Sequence, residues 1–284
     1  MRYLIFGKNG QVARALRAVL YDNKNARFLG SADCNLLNAS AAAAAIQNYM
    51  PDCVINAAAF TAVDKAETDR DAAFQLNATA PAEMADTARD VGAKFIHIST
   101  DYVFDGESET PYSEETPTNP INTYGASKLR GEELLLKANP ASIILRTSWV
   151  FSATGTNFVK TMLRMAASNE TVTVVDDQFG GPTSAADITN TILDIAYAKP
   201  GPAGIFHYQG SPGVCWADFA REIFSASGNR TEVIGISTSE FETSAQRPLN
   251  SLLDCSKLHK VFGISQPDWR KSLRKTIKEL GAPI

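Results

Sequence analysis

An apolar run from Tyr3 to Phe6 stops at Gly7, and a helical pattern through Val12, Leu16, Val19 and Leu20 takes over. Strand, tight turn and helix in that order commit this part of the chain to a strand-helix-strand crossover. The turn reads Gly7-Lys8-Asn9-Gly10-Gln11-Val12-Ala13, a G-x-x-G-x-x-A arrangement. Glycines let a backbone bend sharply and come close to a pyrophosphate, whose charge the N-terminus of the next helix favours. Gly7, Gly10, Gln11 and Val12 are therefore candidate contacts for a dinucleotide, and Ala13 is small where helix and strand must pack closely. Glycine turns of this kind also occur without nucleotides, so the rest of the chain has to decide.

A second strand, Arg27-Phe28-Leu29, ends at Gly30-Ser31-Ala32-Asp33. In a dinucleotide fold this end meets the adenosine ribose, where an acid selects NAD and a small polar or basic environment admits the phosphate of NADP. Ser31 at the strand end points to NADPH, while Asp33 keeps NADH open. An alanine-rich helix, Ala39 to Tyr49, closes the first crossover, and Asn35 and Leu36 in the loop before it are placed to flank the adenine. The third strand, Cys53 to Asn56, runs into Ala57-Ala58-Ala59-Phe60-Thr61, small residues across which a flat cofactor can lie; close helix packing would use the alanines equally well. Helices follow at Asp64 to Asn77 and Pro81 to Val91, then a strand from Lys94 to Ser99.

Tyr124-Gly-Ala-Ser-Lys128 carries the chemistry in this reading. In a helix, residues four apart lie on one face about one turn apart. An ammonium beside a phenol favours the phenolate and pulls a pKa of about 10 toward neutrality, which suits a general acid for ketone reduction. Thr100 ends the preceding strand on the side where open α/β sheets bind ligands, so its hydroxyl can join Tyr124 on a carbonyl oxygen; the alternative is a threonine that only caps a turn. His97, inside that strand, reads as a hydrogen-bonded core histidine, and His207 and His259 have no evident carboxylate or nucleophile partner, which disfavours a hydrolytic triad. Asp105 to Asn122 reads as a long surface loop of the kind that forms lids. A helix from Tyr124 to Lys137 and a strand from Ser142 to Thr147 bring Trp149 to the same edge of the sheet.

Farther on, the pattern is a helix at Phe158 to Ala167, a strand at Val172 to Val175, a helix at Ala185 to Ala196, a Pro/Gly-rich connection at Lys199 to Gly204, and helices at Asp254 to Phe262 and Trp269 to Leu280. With 284 residues the chain has room for one large domain and a smaller lobe. Expected is an α/β, Rossmann-like, doubly wound parallel sheet over residues 1–150, with 171–197 returning to it, and a smaller C-terminal α/β lobe for substrate from 151–170 and 198–284. The net charge of -4 and the lack of a long basic run argue against nucleic acid. Cys34, Cys53, Cys215 and Cys255 are far apart, without C-x-x-C spacing, and suggest neither disulfides nor zinc. Met-Arg-Tyr-Leu-Ile-Phe runs straight into the glycine turn, too short for a signal peptide or membrane span, so a soluble cytoplasmic protein is expected.

Several segments together resemble the extended short-chain dehydrogenase/reductase family over nearly the whole chain. They are the glycine turn, Asn56 to Asp64, Ser99 to Gly106, Tyr124-Gly125-x-x-Lys128, Arg146 to Phe151, Gly181-Pro182-Thr183 and Arg247-Pro248-x-Asn250-Ser251. The resemblance implies reduction by NADPH of the C4 ketone of a dTDP-sugar, dTDP-4-dehydro-L-rhamnose, with Tyr124 as proton donor, Lys128 on the nicotinamide ribose and Thr100 on the ketone oxygen. It also implies a sugar pocket of Asp101, Tyr102, Val103 and Trp149, with Arg247 facing the diphosphate. Some members bind a divalent metal through glutamates shared between subunits; Ala15 and Ala186 stand at two of those positions, so no metal and a monomer or weak homodimer are expected. The related 4,6-dehydratases follow the threonine with Asp-Glu, whereas Asp101 is followed by Tyr102, which favours plain reduction. Reduction of another nucleotide 4-keto-6-deoxysugar, or a non-catalytic NADP-binding subunit of the methionine adenosyltransferase type, are the rival readings.

Overall fold

The computed structural model describes residues 1–198 and 201–281. Lys199 and Pro200 of the expected connection lie outside the described residues. Six strands form one parallel sheet: β1 (Tyr3–Phe6), β2 (Ala26–Leu29), β3 (Cys53–Asn56), β4 (Lys94–Thr100), β5 (Ile143–Thr147) and, later in the chain, Gly204–His207. Their spatial order is β2-β1-β3-β4-β5 with Gly204–His207 at the far edge. β1, β3 and β5 are buried at every position, as strands covered on both faces must be. Order reverses between β1 and β3, the place where such sheets open a crevice at the carboxyl ends of their strands.

Helices cover both faces. On one lie α1 (Gln11–Val19) and a long helix at Ala185–Tyr197, which bury Val12, Leu16, Ile188, Ile192 and Ile195 against the sheet. On the other lie α2 (Ala41–Tyr49), α5 (Ala80–Asp90) and α6 (Thr123–Ala138), contributing Ile46, Met84, Ala85 and Leu135. The helix expected from Asp64 to Asn77 is instead two short helices, α3 (Val63–Ala66) and α4 (Arg70–Phe74), leading into one π turn at Gln75–Thr79. That widened turn is used: fully buried Asn77 accepts from Phe60 N at 2.8 Å and donates to Phe60 O at 3.1 Å and Ser127 Oγ at 2.9 Å. It thereby fixes the loop after β3 to α6.

Beyond β5 the chain continues through β6 (Val150–Phe151), α7 (Phe158–Ala166), β7 (Thr171–Val175), β8 (Phe179–Gly180), β9 (Thr183–Ser184), α8 (Ala185–Tyr197), β10 (Gly204–His207), β11 (Val214–Cys215), α9 (Trp216–Ala226), β12 (Glu232–Ile236), α10 (Ser256–Phe262) and α11 (Trp269–Glu279). Strand pairing redraws the expected division. β7 pairs with β12, and its Val172 and Val174 point into a lobe core with Phe219, Ile223 and Trp269, whereas β10 pairs with β5 in the main sheet. Residues 171–175 therefore belong to the lobe and 204–207 to the large domain, where Leu258 of α10 joins them. α8 packs on the main sheet, and Lys94 Nζ secures its carboxyl end by donating to the carbonyls of Ile195, Ala196 and Ala198. The 105–122 segment is not a loose lid. Tyr112 stacks on Phe104 with ring centres 4.3 Å apart, and its backbone bonds Leu252 and Asp254.

Among the described residues no helix is long and apolar enough to cross a membrane. No group of three or more His, Cys, Asp or Glu placed to hold a metal occurs among them either.

Candidate active site

A cavity of about 580 Å³ opens at the carboxyl ends of β1, β3, β4 and β5. Its first wall is the glycine turn. Gly7 has φ +90°, and a Cβ there would lie 2.6 Å from the Ala57 carbonyl, so only glycine lets the turn press against the end of β3. α1 starts after Gly10 with no capping side chain, which leaves first-turn N–H groups for an anion at the positive end of the helix. Gln11 ties this turn to the lobe, donating to Val150 O at 3.2 Å and accepting from Ser152 and Asn157. Gly10, Gln11, Val12, Ala57, Ala58, Ala59 and Thr61 all line the cavity.

Four expected cofactor contacts stand elsewhere. Gly7 lies beneath the turn, Ser31 is exposed, and Asn35 is exposed with its Oδ1 accepting from Leu37 N. Leu36 is buried among Leu4, Phe6 and Ile46. None of them lines the cavity: Gly7 is packed against the end of β3, and the loop after β2, which carries Ser31, Asn35 and Leu36, folds back on its own backbone. Asp33 accepts from Gly30 N at 2.9 Å and pairs with Lys8 at 3.2 Å, and these two contacts hold its carboxyl below the usual range.

The opposite wall is built from the end of β4 and the first turns of α6. Asn122 caps α6 by accepting from Gly125 N at 2.8 Å, and this sets Tyr124 and Lys128 on successive turns facing β4. Thr100, Tyr124 and Lys128 all line the cavity. The Tyr124 ring meets Tyr102 edge-on, centres 5.8 Å apart. Lys128, 1% exposed, does not bond the tyrosine; its Nζ meets His97 Nε2 at 3.0 Å and the Ile98 carbonyl at 2.7 Å. The expected pull on the phenol is therefore absent, a correction with a plain cause. Burial pushes Tyr124 up to about 12 and Asp101 adds to this, while the Thr100 hydroxyl acts in the other direction. Burial lowers Lys128 to about 8, against the carboxylate of Glu132.

Between these walls lie two buried oxygens without partners, Asp101 Oδ2 and Thr147 Oγ1, both on residues that line the cavity. Orphaned polar atoms cost stability unless a ligand or water meets them, so their presence fits a site for a hydroxyl-rich molecule. Asp101 Oδ1 accepts from Thr100 Oγ1 at 2.9 Å. Burial raises the Asp101 carboxyl to about 6, with Ser251 and Thr100 opposing. Because its folded pKa lies above the unfolded value of 3.8, the carboxylate destabilises the fold fully above pH 6, and this cost vanishes as pH falls toward 3.8. Asp101→Asn should accordingly stabilise the protein by on the order of 2 kcal/mol at pH 8 and by little at pH 4. Thermal melts of both proteins at the two pH values check this; an equal gap at both would contradict the assigned cause.

Tyr102 and Trp149 line the cavity, but Val103 does not. Asp101 to Val103 form a tight 3₁₀ turn, so neighbouring side chains diverge, and fully buried Val103 packs with Phe104, Tyr112 and Leu253. Trp149 has φ +46°, a conformation costly for a bulky residue, and stacks on Trp216 with ring centres 3.4 Å apart. A Cβ on Gly180 would lie 2.3 Å from the Trp149 ring, so glycine makes room for it. Trp216, the first residue of α9, also lines the cavity. Arg247 lies outside it, half-buried beside Tyr102, with its guanidinium on Asp64 at 2.9 and 2.6 Å. The pairing holds the Asp64 carboxyl down at about 2.

Three residues escaped the sequence reading. Trp216 carries no motif, Asn77 is marked only by the helix interruption, and His97, correctly read as buried and hydrogen-bonded, has Lys128 as its unforeseen partner.

Residues 1–282 match the family model described as the RmlD substrate binding domain. The chain is 44% identical to the dTDP-4-dehydrorhamnose reductase of Sinorhizobium fredii (strain NBRC 101917 / NGR234), covering 98% of this chain and 97% of that one. It is 37% identical to the enzyme of the same name from Escherichia coli (strain K12), over 99% and 98%. Among solved structures, a dTDP-4-dehydrorhamnose reductase from Clostridium acetobutylicum superposes with a TM-score of 0.94 at 38% identity, over 99% of this chain and 100% of that one. One from Bacillus anthracis in complex with NADP gives 0.93 at 35%, over 98% and 99%. With this agreement along its whole length, the chain belongs to the RmlD substrate-binding-domain family and is similar to several curated dTDP-4-dehydrorhamnose reductases.

Proposed function

We propose that this protein reduces the C4 ketone of dTDP-4-dehydro-L-rhamnose to dTDP-L-rhamnose. The observation that carries the reading is the convergence of Thr100, Tyr124 and Lys128 in one cavity whose facing wall is an uncapped helix N-terminus behind a glycine turn. NADPH, when bound, supplies the hydride that reaches the carbonyl carbon. Tyr124 holds the proton destined for the ketone oxygen and recovers one from solvent, and the Thr100 hydroxyl binds the same oxygen. Lys128 holds the nicotinamide ribose hydroxyls, and the first-turn amides of α1 hold the pyrophosphate. Lys8, in the glycine turn with its backbone N–H on Leu29 O at the end of β2 and its ammonium beside Asp33, supplies a cation for the NADPH phosphate. Asp101, Tyr102 and the stacked Trp149 and Trp216 wall the sugar. Arg247 reaches the substrate diphosphate only by giving up Asp64 for it. Ala15 and Ala186, on a second groove, stand where some family members carry glutamates that share a metal between subunits, and with no carboxylate at either position the reading is a monomer or weak homodimer.

The test is NADPH consumption with purified dTDP-4-dehydrorhamnose. Expected is one NADPH oxidised per dTDP-L-rhamnose formed. Cofactor binding without substrate-dependent oxidation would favour the regulatory-subunit reading, and faster consumption with a different nucleotide 4-keto-6-deoxysugar would reassign the substrate.

A further inference from the structure

Lys128 ends a hydrogen-bonded chain whose polarity is readable from its far end. The Ala58 N–H can only donate, and it meets Asn56 Oδ1 at 3.0 Å. The amide NH₂ of Asn56 is therefore the group turned to His97 Nδ1, 3.0 Å away. An amide NH₂ has no acceptor capacity, so Nδ1 accepts, and a neutral imidazole then carries its proton on Nε2. Nε2 faces Lys128 Nζ at 3.0 Å. An ammonium offers three donors and no acceptor, whereas an amine has a lone pair for the imidazole N–H and keeps a hydrogen for the Ile98 carbonyl at 2.7 Å. Turning the Asn56 amide over would set its NH₂ against the Ala58 N–H. Turning the ring over would put carbons where both nitrogens now have partners.

We propose that Asn56 and His97 are positioning residues that hold Lys128 as an uncharged amine in the unliganded protein. The surroundings agree. From β4, His97 is kept neutral, its pKa well below the ordinary value through burial. Along α6, Tyr124 holds its proton, and the Glu132 carboxylate favours an ammonium. The Glu132 carboxylate is itself neutralised from β5 by Arg146, at 2.6 Å. Asp101 is directed at Thr100. The inference deepens the role of Lys128 in the reduction proposed above: the charge it presents to an incoming anionic dinucleotide is set by two residues that contact neither ligand nor solvent.

The test needs no substrate or turnover. Two-bond ¹H–¹⁵N spectra of the unliganded, full-length protein at pH 9, above the lowered Lys128 midpoint and below that of an ordinary lysine, report the tautomer of each of the three histidines, assigned with His207→Gln and His259→Gln. Expected for His97 is the Nε2–H tautomer, and the ¹³Cε signal of Lys128 should titrate at or below about pH 8. Asn56→Asp puts an acceptor against Nδ1, so it should switch His97 to the Nδ1–H tautomer and raise the Lys128 midpoint by about one pH unit or more, tenfold in the protonation ratio. An Nδ1–H or doubly protonated His97 in the wild type, or a Lys128 midpoint at the ordinary lysine value of about 10.4, would overturn the proposal. Wild-type spectra decide even if the variant fails to fold. Failure of the NADPH assay with the Nε2–H tautomer intact would remove the reductase reading and leave this one standing.

Discussion

Tyr124→Phe should cut turnover by roughly 10²- to 10⁴-fold, the range for losing a positioned proton donor, and leave dinucleotide affinity nearly unchanged. The phenylalanine ring keeps the edge-on packing against Tyr102, so the variant deletes a hydroxyl and little else. Burial holds the phenol up at about 12, which means that at neutral pH it carries its proton and is set to act as an acid. The same cause makes the phenolate costly, so the reverse reaction, oxidation of the alcohol by NADP, should quicken as pH rises through the neutral and alkaline range. Steady-state kcat with single-turnover rates separates loss of chemistry from loss of binding. A variant within a few-fold of wild type would take the proton from somewhere other than Tyr124.

What could be read from the sequence were the features that backbone geometry or local spacing dictates. Only glycine fits at Gly7, and Tyr124 and Lys128 share a helix face, so both signals survive without knowledge of tertiary partners. Partners were the hidden part. His97 lies 31 residues from Lys128 and meets it only because β4 packs under α6, and no spacing rule reports that. Burial was hidden for the same reason, and with it the direction of the Tyr124 pKa. Val103 lies off the cavity because a 3₁₀ turn, with three residues per turn, sends Asp101, Tyr102 and Val103 in three different directions. β7 and β10 are both short apolar strands, and their sheets are settled by β12 and β5, which the strands themselves do not encode.

Arg146→Met should destabilise the protein by roughly 3–5 kcal/mol, as expected when one member of a buried ion pair is removed. Arg146 and Glu132 side chains are each 2% exposed and meet at 2.6 Å, with the Arg146 Nε adding contacts to both carboxylate oxygens. Ser99 Oγ also donates to Glu132, and the guanidinium lies over Phe104. Methionine can fill much of the same space, so the main loss is the counter-charge. A buried carboxylate without its counter-charge is costly only while it is ionised, so the destabilisation should be full at alkaline pH and relieved as pH falls. Melts at pH 8 and pH 5 should therefore show a larger deficit at pH 8, on the order of 10 °C for a chain of this size. Adding Glu132→Leu should recover much of it, because no uncompensated charge stays buried. A deficit independent of pH and untouched by the second substitution would place the contribution of Arg146 in its packing on Phe104 and its contact with His207. The pair also bears on the site: a Glu132 freed from Arg146 exerts its full field on Lys128, so the single variant should raise the lysine's midpoint and the double variant lower it.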